Sequence, residues 1–92
     1  LGRRAAAVNT LALAWRNLGL VYSRQGKYEE ALAAFGKVQD VPKAYNDVGY
    51  IAMVAGRLDD AQSFFDEAQR LSPEYYPTAS ENAERVRRLK GK

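Results

Sequence analysis

Shifted by 30 residues, the chain lies on itself: Gly19 falls on Gly49, Gly26 on Gly56, Ala31 on Ala61, Phe35 on Phe65 and Gln39 on Gln69. Chemically related pairs fill in between, among them Trp15 with Tyr45, Leu18 with Val48, Lys27 with Arg57, and Glu29-Glu30 with Asp59-Asp60. A unit of this length cannot enclose a hydrophobic core alone, so it must bury its apolar face against its own copy. The chain is therefore read as two stacked copies of one small unit.

Within the unit the apolar spacing is helical. Trp15, Leu18 and Tyr22 fall at i, i+3 and i+7, and Ala31, Phe35 and Val38 at i, i+4 and i+7, so each set makes one stripe. Gly26 and Gly56 stand where the first stripe ends, the position of a left-handed helix stop. The acidic pairs that follow suit the positive end of the next helix. Each unit is helix, tight turn, helix. The pattern predicts helices over residues 10–25, 28–39, 42–55, 58–71 and 76–90, with Asp40 as N-cap of the third, Pro42 in its first turn, and Ser72-Pro73 as a break. No strand-like alternation competes, and the fold class is all-α.

Composition removes most chemistry. Among 92 residues there is no cysteine and no histidine, so thiolate nucleophiles, disulfides, structural zinc and haem ligation are set aside, and neither metal nor cofactor is expected. Glu29-Glu30 and Asp59-Asp60 are the close carboxylate pairs. Sequence neighbours on a helix point about 100° apart, so they do not face one cleft as an acid and base must. No catalysis is expected. The net charge of +3 is modest, and no apolar run approaches the roughly 20 residues of a membrane span. The chain opens on Leu1 rather than Met, which suggests a segment of a longer protein.

The residues Trp15-Arg-Asn-Leu18-Gly19-Leu-Val-Tyr22, then Ala31-Leu-Ala-Ala-Phe35, resemble the tetratricopeptide repeat, whose pattern runs W-x2-L-G-x2-Y, then A-x3-F, then P. The second unit follows with Tyr45, Val48, Gly49, Ala52, Ala61, Phe65 and Pro73. The resemblance implies a right-handed superhelical stack: one repeat over about 12–41, a second over about 42–75, and a polar capping helix over about 76–90. Gly19 and Gly49 are expected to cross Ala31 and Ala61 at close range. The family period is about 34 residues, four more than the offset here, and the shortfall falls between Phe35 and Tyr45. Four residues are close to one helical turn, so the inward face is kept and a shortened second helix is expected.

A narrower likeness covers Ala44 through Gln62 with Leu71-Ser-Pro-Glu-Tyr-Tyr76, which resembles bacterial TadD-like lipoproteins of the tight-adherence pilus system. It implies a pilotin that grips a secretin C-terminal segment, in the periplasm at the outer membrane; a cytoplasmic location is the alternative.

In this family the first helices of successive units line a concave groove. On the first helix the corresponding face carries Leu13, Arg16, Leu20, Ser23 and Arg24; on the third it carries Lys43, Asn46, Tyr50, Met53 and Val54. The capping helix would add Ser80, Glu84, Arg87 and Arg88. An apolar stripe with a cationic rim suits a peptide or helix of a partner protein, though the same residues would serve equally under a flanking repeat. Some family members clamp an acidic carboxylate with Lys, Arg and Asn. Here Leu20, Asp47, Pro77 and Glu81 break that pattern. Arg85, Arg87, Arg88, Lys90 and Lys92 favour the dipole of the last helix, and Arg85 and Arg88 are i+4 partners for Glu81 and Glu84, so neither nucleic acid nor lipid is expected as a partner. Two units are fewer than the three usual for a free-standing array. Either the capping helix completes the core, or the chain belongs to a longer array, or its apolar face pairs with a second copy.

Overall fold

The computed structural model describes residues 2–92, with side chains from residue 9 onward. Five helices follow in order: α1 Gly2–Arg24, α2 Tyr28–Phe35, α3 Val41–Val54, α4 Leu58–Leu71 and α5 Pro77–Lys90. Among the described residues there is no strand. α1 pairs with α2 and α3 with α4, while α5 packs on α4 and touches α3.

The turns inside the two hairpins are built alike. Gly26 and Gly56 have φ of 76° and 82°, the left-handed region that a side chain rarely adopts. At each, two backbone hydrogen bonds close the helix end: Lys27 N–H to Tyr22 O and Gly26 N–H to Ser23 O, then Arg57 N–H to Ala52 O and Gly56 N–H to Met53 O. This is the Schellman arrangement, which satisfies carbonyls that the last turn leaves open. The acidic pairs do fall in the first turns of α2 and α4. The Asp40 carboxylate accepts from Lys43 N–H at 3.0 Å and starts α3, with Pro42 in the first turn.

Two helices depart from the expected lengths. α1 begins at Gly2, well ahead of residue 10. α2 stops at Phe35 instead of 39, leaving 8 residues against 14 in α4. Beyond it Lys37 N–H bonds Ala34 O and Val38 N–H bonds Phe35 O, three-residue spans that tighten the chain into turns. Gln39 Nε2 then reaches the Asp47 carboxylate at 2.6 Å and draws the exit toward α3. The shortening falls where the repeat offset placed it, and it is larger than one turn.

The core forms two connected clusters. One joins Ala31, Phe35, Ala44 and Val48 between the hairpins, and the other joins Ala52, Met53, Ala61, Phe65, Ala83 and Val86 under α5. Burying a phenylalanine fully, as at Phe65, stabilises by about 1.5–3 kcal/mol. A ring faces each of the two glycines: a Cβ at Gly19 would lie 2.8 Å from the Phe35 ring, and one at Gly49 would lie 2.8 Å from the Phe65 ring. Ala31 and Ala61 are fully buried nearby. The glycines therefore make room for the phenylalanine rings. Leu18, assigned to the inner stripe of α1, is 40% exposed, whereas its counterpart Val48 is fully buried.

A cross-hairpin staple joins the units. Arg57 donates through one guanidinium nitrogen to Ser23 O at 3.0 Å and through the other to Arg24 O at 2.7 Å. It thereby holds the carbonyl end of α1, where a cation also meets the negative end of the helix dipole. Tyr28 completes the joint by donating to the Asp60 carboxylate at 2.9 Å and stacking edge-on against Phe64.

Candidate peptide-binding groove

α1, α3 and α5 stand side by side, and their shared face holds an open cavity of about 500 Å³. Helical spacing places its lining. Arg16 and Leu20 at i, i+4 come from α1; Lys43, Asp47, Tyr50 and Ile51 form one face of α3; Thr78 and Asn82 at i, i+4 come from α5. Phe35, the last residue of α2, also belongs to the lining.

The polar groups are mostly engaged. Asn46, nearly buried, accepts a hydrogen bond from Asn82 Nδ2 at 3.1 Å, tying α3 to α5. Lys43 Nζ lies 3.3 Å from the Asp47 carboxylate, which also receives Gln39. Two cations and one carboxylate leave the cavity positive. Arg16 is exposed and has no ion-pair partner among the described residues. A carboxylate of a ligand placed there would meet an uncommitted guanidinium beside apolar surface from Leu20 and Tyr50.

The predicted groove residues divide into three groups. Arg16, Leu20, Lys43, Asn46 and Tyr50 line the cavity together. Ser23 and Met53 do not face it. Ser23 is fully buried and donates its hydroxyl to Gly19 O at 2.7 Å, and Met53 is buried in the cluster that α5 covers. Leu13, Arg24, Val54, Glu84 and Arg87 are exposed but lie outside the lining. Arg87 binds Glu84 at 3.2 Å and approaches Asp66 of α4 at 3.8 Å, so this pair sits toward the α4 side of α5. Glu84 takes Arg87 rather than the expected Arg88, and Lys90 pairs with Asp59 at 2.7 Å.

Phe35, Asp47, Ile51, Thr78 and Asn82 also line the cavity, outside the groove set read from the sequence. The signal for the α5 pair was present: Ala79, Ala83 and Val86 recur at i, i+4 and i+7 and are all fully buried, which turns the preceding positions 78 and 82 toward α3. A second hollow of about 320 Å³ lies at the loop ends, between Asp40, Lys43, Ser72 and Tyr75. Tyr76 beside it has its phenol pushed up by burial, with Asp47 and Asp40 adding to the effect.

This architecture defines a helical-repeat protein of stacked antiparallel hairpins. The tetratricopeptide repeat pattern matches residues 12–41 and again residues 42–75, and the chain belongs to the tetratricopeptide repeat family. Repeats of this family generally form non-catalytic scaffolds for protein-protein interaction. The chain is also similar to Protein O-mannosyl-transferase TMTC2 of Mus musculus, with 32% identity over 68 residues. That stretch is 66% of this chain and 8% of the mouse protein, so the chain spans a small part of its relative.

Proposed function

We propose that the chain binds a peptide or helix of a partner protein in the trough between α1, α3 and α5. One observation carries this reading: a cavity of about 500 Å³ whose apolar surface from Leu20, Tyr50 and Ile51 borders Arg16, which has no ion-pair partner among the described residues. Apolar surface gathered in a concavity, with a few oriented polar groups at its edge, is what a recognition groove requires. The favoured occupant carries an aliphatic or aromatic anchor with a carboxylate nearby. Within that class, a secretin C-terminal segment is the occupant implied by the tight-adherence likeness, and a periplasmic setting goes with it.

Selection from a random peptide display library tests the groove. Peptides selected on the unmodified chain are expected to lose at least about tenfold in affinity, roughly 1.4 kcal/mol, for a Leu20→Asp, Tyr50→Asp variant that keeps its helical circular dichroism. Equal binding to both folded proteins would remove the reading. A secretin-tail peptide measured beside the selected ones decides the narrower proposal.

A further inference from the structure

The groove cavity and the smaller hollow of about 320 Å³ at the loop ends share Lys43 in their lining, so the two adjoin where α3 begins. The Lys43 ammonium is drawn to the Asp47 carboxylate at 3.3 Å, which offsets its charge. Pro42 and Pro73 give the smaller hollow stiff walls. The Ser72 hydroxyl donates to Glu74 O at 2.7 Å and fixes the turn that presents Tyr75. A loop fixed before binding loses little conformational freedom when a ligand arrives.

The chemistry at this end is the reverse of the groove's. Glu74 is exposed and has no ion-pair partner among the described residues. Asp40 uses one carboxylate oxygen to cap α3, 3.0 Å from Lys43 N, and its other oxygen stays uncommitted among the described residues. Tyr75, in the same lining, is 78% exposed, a large ring left facing water. The neighbouring Tyr76 phenol is pushed up by burial and then by Asp47 and Asp40, which marks a negative field over the hollow. Carboxylates beside an open aromatic face suit an arginine or lysine side chain, because the ring attracts the cation and the carboxylates pair with it.

We infer, resting on the groove reading, that the hollow is a second subsite for the same bound peptide and takes a basic side chain between Tyr75 and the carboxylates of Asp40 and Glu74. Arg16 in the groove and Glu74 in the hollow give the two ends of the trough opposite signs. The occupant is therefore an extended segment with an acidic group near its apolar anchor and a basic residue further along, and charge fixes the direction in which it lies. Arginine is preferred to lysine, since a planar guanidinium stacks on a ring while it donates to carboxylates. Tyr50 and Lys43 are seven residues apart on α3, about 10 Å of helix rise. An extended chain covers that in about three residues, which puts the basic residue about three to five positions from the anchor.

The display-selected peptides, measured on the full chain, supply the test. They should carry arginine or lysine about three to five positions from the apolar anchor. Replacing that basic residue by alanine should weaken binding to the unmodified chain about three- to tenfold. The same replacement should leave binding to a Glu74→Gln, Tyr75→Ser variant unchanged, because the partner groups are already gone. Both substitutions fall at exposed positions, so the variant is expected to keep its helical circular dichroism. An equal loss on the two proteins would overturn the subsite, and so would selected peptides with proline or any uncharged residue at that distance. In either case, loss of binding to the Leu20→Asp, Tyr50→Asp variant would leave the groove standing. Peptides that bind that groove variant as well as the unmodified chain would remove the groove, and the subsite with it.

Discussion

The hairpins α1–α2 and α3–α4 come from related sequences, yet they are completed differently. The second has neighbours on both sides: Val48 meets the first hairpin, and Phe65 and Ala61 lie in the cluster that α5 closes. Among the described residues the first has a neighbour on one side. Its second helix is 8 residues long, its Phe35 ring reaches the groove, and Leu18 faces outward. Position within the stack, more than residue type, sets how much a given side chain is worth. Phe35, the last residue of the short α2, borders the same open space as Leu20 and Ile51.

This contrast can be broken most sharply at the paired positions 48 and 18. Val48→Asp places an unpaired charge in a fully buried site and is expected to cost several kcal/mol, on the order of 3–5, enough to unfold a chain of this size. Leu18→Asp is expected to stay within about 0.5 kcal/mol. Urea titration followed by circular dichroism checks both, and similar midpoints for the two variants would refute the asymmetry.

Next in size are the phenylalanines. Phe65→Ala is expected to cost about 3–5 kcal/mol because its surroundings are closed on all sides. Phe35→Ala should cost less, about 2–3 kcal/mol, since the gap opens onto the groove and can admit water. The reverse order of unfolding midpoints would show that the first hairpin, not the second, dominates the core.

The staple gives a smaller contrast. Arg57→Ala removes two hydrogen bonds to the end of α1 and is expected to cost about 1–2 kcal/mol. Lys27→Ala should leave stability unchanged. Hydrogen exchange adds a local readout: protection should fall across the Tyr22–Lys27 turn in the arginine variant alone.

The smallest effect is a titration. Hydrogen bonding to Lys90, with its charge adding, holds the Asp59 carboxyl below its ordinary 3.8. A carboxylate depressed in the folded state stabilises above its unfolded value, and that contribution is lost as pH falls through the folded one. Acidification across this window should loosen the last turn of α5 from α4. Lys90→Ala should return the Asp59 titration toward 3.8, as NMR of the carboxyl carbon would show; no upward movement would mean the pair does not persist in solution.

The sequence showed the stacking of two helix hairpins clearly, because glycines, alanines and phenylalanines recur at one offset and each answers to a backbone or packing need. It showed the groove in part. Arg16, Leu20, Lys43, Asn46 and Tyr50 could be placed by helical phase from a known buried stripe. Ser23 and Met53 were misplaced because phase alone does not show where a neighbouring helix crosses: α5 covers Met53, and Ser23 turns back to Gly19 O in its own helix. The lining of α5 was missed because its buried residues are mostly alanines, which give a weak stripe in a polar helix. α2 ends against Gly36, and the chain beyond it is held by Gln39 reaching Asp47, a contact between segments that no local pattern contains.

Chemical-shift mapping with a selected peptide tests the groove most directly. The account predicts amide shifts concentrated at Arg16, Leu20, Asn46, Tyr50 and Asn82, with α4 residues such as Gln62 and Asp66 unmoved. Shifts gathered along α2 and α4, with Leu20 and Tyr50 silent, would contradict it.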